Sequence, residues 1–469
     1  MESPDCPGCR QRDAVIAALQ QQLAALEARV RDLEERLGRN SSNSSLPPSA
    51  DPPAAPAPVV KQPTGRKAGA QPGHPAHLRQ RLPAERVQHV RPLVPTHCRS
   101  CQAALPTAAS PGDPAPSWHQ VAELRPDPVA ITEYQGHART CPRCGVVTRA
   151  AIPAAVKAHS IGPRLAAALA FLTGRCHLSK RAIEEVVETV CDVPLALGTV
   201  SHLEQQMSHA LAAAHAEVAV AVRQAPVKNV DETGWKQAGR LCWLWAAVTG
   251  TAALFVVHAK RGLAGLTALL GEQIRGVVGS DRWSAYGRLP LHQRQLCWAH
   301  LRRDFQAMAD RGGPSAAIGT DLLVQAGVVF DWWYKVRDGT RSRRWLQRLL
   351  AEIRPDVVEL LRRGGRCRCA KTAGTCREIL EVEAALWTFA SVEGVEPTNN
   401  AAERAVRPAV LWRKRSFGCH SDEGCRFVER LLTVVQSLRL QKRRVLDYLH
   451  EALAAHRAGL PTPQLLNGQ

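Results

Sequence analysis

Residues 227–235 read VKNVDETGW. They predict a β-strand that ends in polar residues. LCWLWAAV at 241–248 and ALFVVHAK at 253–260 predict the next two strands, with Thr249-Gly250-Thr251 as the turn between them. Residues 262–270 predict a helix. GVVGSD at 276–281 is a short buried strand, and LHQRQLCW at 291–298 another, followed by a helix from near Ala299. Strands, then a helix, a strand and more helices give a mixed α/β order. Residues 241–259 contain no Lys, Arg, Asp or Glu and have the length of a membrane span. Their aromatic and β-branched content and central turn fit two strands better, so no membrane segment is expected.

Working outward, residues 305–390 carry a helical pattern without strand signals, and a helix around Asn399–Val410 resumes the α/β unit. That mixed order is that of a ribonuclease-H-like domain, expected at 225–304 and 391–420, with a helical stretch at 305–390 between its parts and a C-terminal helical segment at 421–469. Upstream, 151–224 is helical. Within it, 180–190 and 199–207 flank the turn CDVPLALG, which suits a helix-turn-helix or a plain helical hairpin. Residues 83–150 form a small module bounded by two C-x-x-C pairs. Residues 39–82 are a Pro- and Ser-rich linker that cannot bury a core.

Residues 1–38 hold a cysteine pair and a leucine heptad. Ile16, Leu23, Val30 and Leu37 take the a positions, and Leu19, Leu26 and Leu33 take d. That 3.5-residue period predicts a parallel coiled-coil homodimer. Cys6 and Cys9 form a lone C-x-x-C pair just ahead of it, and two copies side by side in the dimer would offer four thiolates to one shared zinc.

The chain has 469 residues, enough for several domains, and a formal charge of +19. Such a basic excess suits a polyanion, because Lys and Arg displace condensed counterions from phosphates. The excess is mostly Arg in an Ala- and Pro-rich chain, a composition that biased codon use also produces. MESPDCPGCRQRD has no apolar run, so no signal peptide is expected. The fifteen cysteines then argue for metal ligands over disulfides.

Asp231 is expected at the end of the first strand of the α/β unit and Asp281 at the end of the fourth. Central strands of a mixed sheet lie side by side, so these ends can meet, and Glu403 from a helix would complete a carboxylate site. Hard oxygen ligands select magnesium or manganese. Paired ions can activate an attacking oxygen and stabilise a leaving one. Singly, an Asp at a strand end is usually a turn residue or helix cap, so the context of all three decides. Glu403 and Arg407 lie four apart on one helical face, and Arg413, Lys414 and Arg415 follow as candidate phosphate contacts. Trp235 and Trp283 lie near the two Asp residues, as core or as stacking surfaces for an unpaired base. Cys98, Cys101, Cys141 and Cys144 form two C-x-x-C pairs with the four thiolates of a structural zinc site, or are plain reduced thiols. Cys297 and His300, spaced C-x-x-H at a helix start, are candidate ligands or packing residues.

NVDETGW, VVGSDRWSAY, QLCWAHLRRDF and PTNNAAERAVRPAVLWRKRSFG, in that order, resemble the catalytic-domain motifs of transposases of the IS-sixty-six family of bacterial insertion sequences. LGRNSSNSSLPPSAD after the heptad and GRKAGAQPGH before the Cys module resemble that family's leader and linker. The resemblance covers almost the whole chain. It implies a ribonuclease-H-like catalytic domain with Asp231, Asp281 and Glu403 as metal ligands and a helical insertion between the second and third. It also implies a zinc module taken as DNA-binding, and assisting proteins from the same element. The activity implied is cleavage of element ends at their terminal inverted repeats, then joining to target DNA, by a cytoplasmic protein on the bacterial nucleoid. A catalytically silent DNA-binding derivative and a ribonuclease-H-like nuclease are the competing readings.

Overall fold

The computed structural model describes residues 7–44 and 81–466. Cys6 and most of the Pro-rich linker lie outside the described residues. The described residues divide into two compact units, 81–132 and the remainder. In the smaller unit, Leu82 exchanges two hydrogen bonds with the Gln120 amide, and a bridge from His97 to Ala104 closes a turn around Cys98–Cys101.

The larger unit begins with α1 (Pro7–Leu37), then β1 (Ala138–Thr140) and β2 (Val147–Arg149), an antiparallel pair. A helical run follows: α2 (Ala154–Lys157), α3 (Pro163–Gly174), α4 (Lys180–Cys191), α5 (Leu197–Ala210) and α6 (Ala212–Gln224). The sheet and its crossover comprise β3 (Val227–Gln237), β4 (Arg240–Val248), β5 (Ala253–His258), α7 (Leu263–Leu270), β6 (Val277–Ser280) and β7 (Arg294–Leu296). Next come α8 (Trp298–Asp310), α9 (Gly313–Arg337), α10 (Arg343–Gly365), α11 (Ala370–Glu381) and α12 (Thr388–Ser391). The chain closes with α13 (Asn400–Ser416), α14 (Asp422–Leu440) and α15 (Val445–Arg457).

The five strands lie in the order β5-β4-β3-β6-β7. β3, β4 and β5 pair antiparallel, whereas β3–β6 and β6–β7 are parallel. The β3–β4 hairpin turns on Ala238 and Gly239, both at positive φ, which suits the twist of a two-residue connection. Residues 241–259 are therefore two strands and a turn, with Thr249 Oγ1 accepting from the Thr251 and Ala252 amides. Gly279 lets β6 lie close to β3: a Cβ there would stand 2.4 Å from Asn229 Oδ1.

Two hydrophobic cores result. One packs the sheet under α3–α7 and α13–α15, around the fully buried Trp235 and Trp245. The other fills α8–α11 and reaches the sheet edge through Val277 and Leu296. Among the described residues, α9 alone is long and apolar enough to cross a membrane, and it contributes Leu322, Ala326 and Val329 to this second core. α5 packs against α3, α4, α14 and α15, leaving His202, Gln205 and His209 among its exposed residues.

α1 and the residues just after it meet α8 and α11 by polar contacts. Asp32 and Glu35 both reach Lys371 Nζ, at 3.1 and 2.7 Å, and Asn43 reaches Asp310 at 2.9 Å. Asp32 and Glu35 fall on the c and f positions of the heptad, so its a/d seam stays open. Ile16, Leu19, Leu23, Leu26, Val30, Leu33 and Leu37 are each at least 48% exposed.

Candidate functional site

The site forms where β3 and β6 separate. Their parallel register pairs Val227 with Val277, Lys228 with Val278 and Asn229 with Gly279. Asp231 and Asp281 each lie two residues beyond the last pair of that register, and the Asp281 charge acts on Asp231. Asp231 lies inside β3 and not at its end, as the sequence suggested. β4 holds β3 extended through Gln237 on one edge, while β6 stops at Ser280 on the other. Asp281 is fixed from both sides. Its Oδ1 accepts the Trp283 amide at 2.9 Å, and its carbonyl accepts from buried Arg294 Nη2 at 3.1 Å.

Glu403 arrives on the first turn of α13. Asn399, just ahead of that helix, ties the arrangement together. Its amide donates to Cys297 Sγ at 3.4 Å, and its side-chain Nδ2 donates to the Val230 carbonyl at 3.4 Å. The start of α13 is thus held between β3 and α8. Glu403 faces α8, with Oε1 3.6 Å from His300 Nδ1 and Oε2 3.9 Å from Arg303 Nη2. It does not pair with Arg407, which is exposed and makes no ion pair among the described residues. α13 continues as one helix through Arg413, Lys414 and Arg415. Arg413 turns back onto β3, donating to Thr233 Oγ1 at 3.2 Å and to the Gly234 carbonyl, so its guanidinium braces the strand. Arg415 is exposed.

Burial pushes the Asp231 carboxyl well above the usual carboxylate range, and the negative charges of Glu232, Glu403 and Asp281 push it further. Asp281 and Glu403, the other two acids expected from sequence, therefore both lie within electrostatic reach of Asp231. Glu232 is a fourth acid that sequence reasoning missed. Burial raises its pKa, while Tyr286 and Arg261 hold its charged form. Arg261 in turn lies 3.9 Å from the Trp283 ring and 4.7 Å from that of Trp243. Trp283 is 37% exposed; Trp235 is fully buried against Trp412, a core residue. A cleft of about 400 Å³ lies between α8, α9 and the start of α13, lined in part by Arg302, Arg303, Tyr334 and Asn400.

Residues 159–426 match the family model described as "Transposase IS66 family". The chain belongs to the IS66 family of transposases. The matched span runs from just before α3 into α14, so it contains the five-stranded sheet, helices α8–α12 and every acid of the site. Residues 1–80 match a second model, described as "Family of unknown function (DUF6444)". A relative from Sinorhizobium fredii (strain NBRC 101917 / NGR234), "Uncharacterized protein y4qI", is 28% identical over 204 residues. That alignment covers 40% of this chain and 38% of the relative.

Both C-x-x-C pairs of this IS66-family chain lie outside the family match and adopt the same loop. The Cys98 amide donates to Ala103 O and the Gln102 amide to Cys98 O, each at 2.9 Å. The Cys141 amide donates to Val146 O and the Gly145 amide to Cys141 O, again at 2.9 Å. The residue after each second cysteine, Gln102 or Gly145, has positive φ. Backbone amides within each loop point at the first sulfur and lower the pKa of Cys98 and Cys141, favouring thiolate.

Proposed function

We propose that this chain is an active DNA transposase whose Asp231, Asp281 and Glu403 hold magnesium or manganese. The observation that supports the reading is that the parallel β3–β6 pairing ends two residues before both Asp231 and Asp281, and that the charges of Asp281 and Glu403 both act on Asp231. Strand order β5-β4-β3-β6-β7, antiparallel on one side of β3 and parallel on the other, supports a ribonuclease-H-like fold. The donor set fits a hard divalent cation, because carboxylate oxygens that repel one another at Asp231 are relieved by positive charge. Bound there, the ions supply activation of the attacking oxygen and stabilisation of the leaving one.

The chain's own groups do the rest. Arg294 and the Trp283 amide orient Asp281, Asn399 positions α13, and Arg261 with Tyr286 keeps the Glu232 charge engaged. Arg302 and Arg303 in the cleft, with Arg407, Lys414 and Arg415 along α13, would grip DNA phosphates. Hydrolysis of a phosphodiester at an element end frees a 3′-hydroxyl, which then attacks a phosphodiester of the target. Binding to terminal inverted repeats falls to the cysteine-containing segment and the helices α3–α6. The cysteine loops, with thiolate-favouring geometry, suit zinc. The open heptad seam of α1 suits a parallel homodimer that pairs two ends. Proteins of the same element would assist.

The test is an assay with labelled element ends, target DNA and magnesium. Cleavage followed by joining supports a transposase. Binding alone would indicate a silent derivative, and cleavage alone a nuclease.

A further inference from the structure

Cys297 immediately precedes α8 and His300 lies in its first turn, so the C-x-x-H spacing brings both side chains to one side of the helix start. Glu403 meets them from α13. The Cys297 sulfur, a His300 ring nitrogen and a Glu403 carboxylate oxygen all lie within 4.8 Å of one another. His300 Nδ1 and Glu403 Oε1 face each other at 3.6 Å, both are buried, and neither has a hydrogen-bond partner. Leaving a buried polar atom unsatisfied costs about 1–3 kcal/mol, and a cation held between these two would satisfy both. Cys297, 2% exposed, accepts a long contact from the Asn399 amide at 3.4 Å, and the backbone amides of His300 and Ala299 also face its sulfur.

We propose that Cys297, His300 and Glu403 form a zinc site that shares Glu403 with the carboxylate centre, and that zinc bound there inhibits the enzyme by taking Glu403 away from Asp231 and Asp281. Thiolate, imidazole and carboxylate are zinc's ligands, and a thiolate disfavours magnesium. Tetrahedral zinc needs ligand atoms roughly 3.3–3.6 Å apart. The His300–Glu403 pair already has that separation, and a small rotation of side chains closes the rest. Three protein ligands leave the fourth position to water. The inhibition rests on the role proposed above for Glu403; the binding does not.

Cobalt(II) is the probe for binding, used on the full-length chain, read by metal content and by thiolate-to-cobalt charge-transfer absorbance. Wild type should hold one cobalt more than Cys297→Ser, and His300→Gln should lose the same equivalent. His300→Gln serves if Cys297→Ser fails to fold. Equal stoichiometry and equal spectra in all three proteins overturn the site. For inhibition, zinc is added to magnesium-driven end cleavage. Wild type should slow at least about tenfold, and Cys297→Ser by less than about twofold, each against its own magnesium-only rate. Equal inhibition of both overturns the inhibitory role. If wild type cleaves nothing in magnesium, the transposase reading falls, and the cobalt result still decides the site.

Discussion

Lys228 is a lysine without a water shell, and its titration should be visible in stability. It lies on β3, 1% exposed, with Nζ donating to the carbonyls of Arg223 at 3.0 Å and Arg275 at 2.8 Å. Burial lowers its pKa from 10.5 to about 8. Between those values the unfolded chain binds the proton more tightly than the folded one, so stability rises with pH across that window. At roughly 1.4 kcal/mol per pH unit, the rise reaches about 3 kcal/mol. That is an upper bound, because both carbonyl hydrogen bonds favour the charged form. Lys228→Met removes the titration and leaves the two carbonyls without a donor, a cost of about 1–3 kcal/mol each. Denaturant unfolding of both proteins from pH 7.5 to 10.5 isolates the effect, since other groups cancel in the difference. Wild type should gain on the variant as pH rises. A difference independent of pH would refute the reasoning.

Asp231→Asn removes a buried, repelled carboxylate, so it should raise the melting temperature without metal. It should also abolish the rise that magnesium gives wild type, about 1.4 kcal/mol at ten times the dissociation constant; a normal magnesium response in the variant would contradict this. Leu26→Glu places a charge in the open seam of α1 and should shift the full chain from dimer to monomer in sedimentation; an unchanged mass would dismiss the coiled coil. Purified protein should carry zinc on its C-x-x-C loops, and Cys141→Ser should lower the zinc content; equal metal in both would remove that loop from the site.

Much of the sheet was legible because its strands carry dense runs of apolar residues, as in LCWLWAAV and ALFVVHAK. Asp231 misled by its polarity: Asp-Glu-Thr reads as a strand end, but these side chains face a site and a buried network while β4 keeps the backbone extended. Residues 291–298 predicted a full strand, but a 3-10 turn at Leu291–Gln293 after Pro290 leaves three residues in β7. Arg413 read as a phosphate contact because nothing local reveals that the Gly234 carbonyl, far away in sequence, takes its guanidinium. Glu232 and Tyr286, 54 residues apart, meet only through the fold. The C-x-x-H pair was visible; its third member, Glu403, was visible for another reason, and only the approach of α13 to α8 joins them.

In the proposed reaction Asp231, Asp281 and Glu403 act together on DNA. The direct measurement is magnesium-dependent cleavage of labelled element ends by wild type, Asp231→Asn, Asp281→Asn and Glu403→Gln, with end binding measured in parallel. Each substitution keeps shape and removes one charged ligand. Wild type should cleave, and each variant should lose cleavage by at least about a thousandfold, the order of 4 kcal/mol in barrier, with end binding nearly unchanged. Near-wild-type cleavage by any one variant would contradict the account.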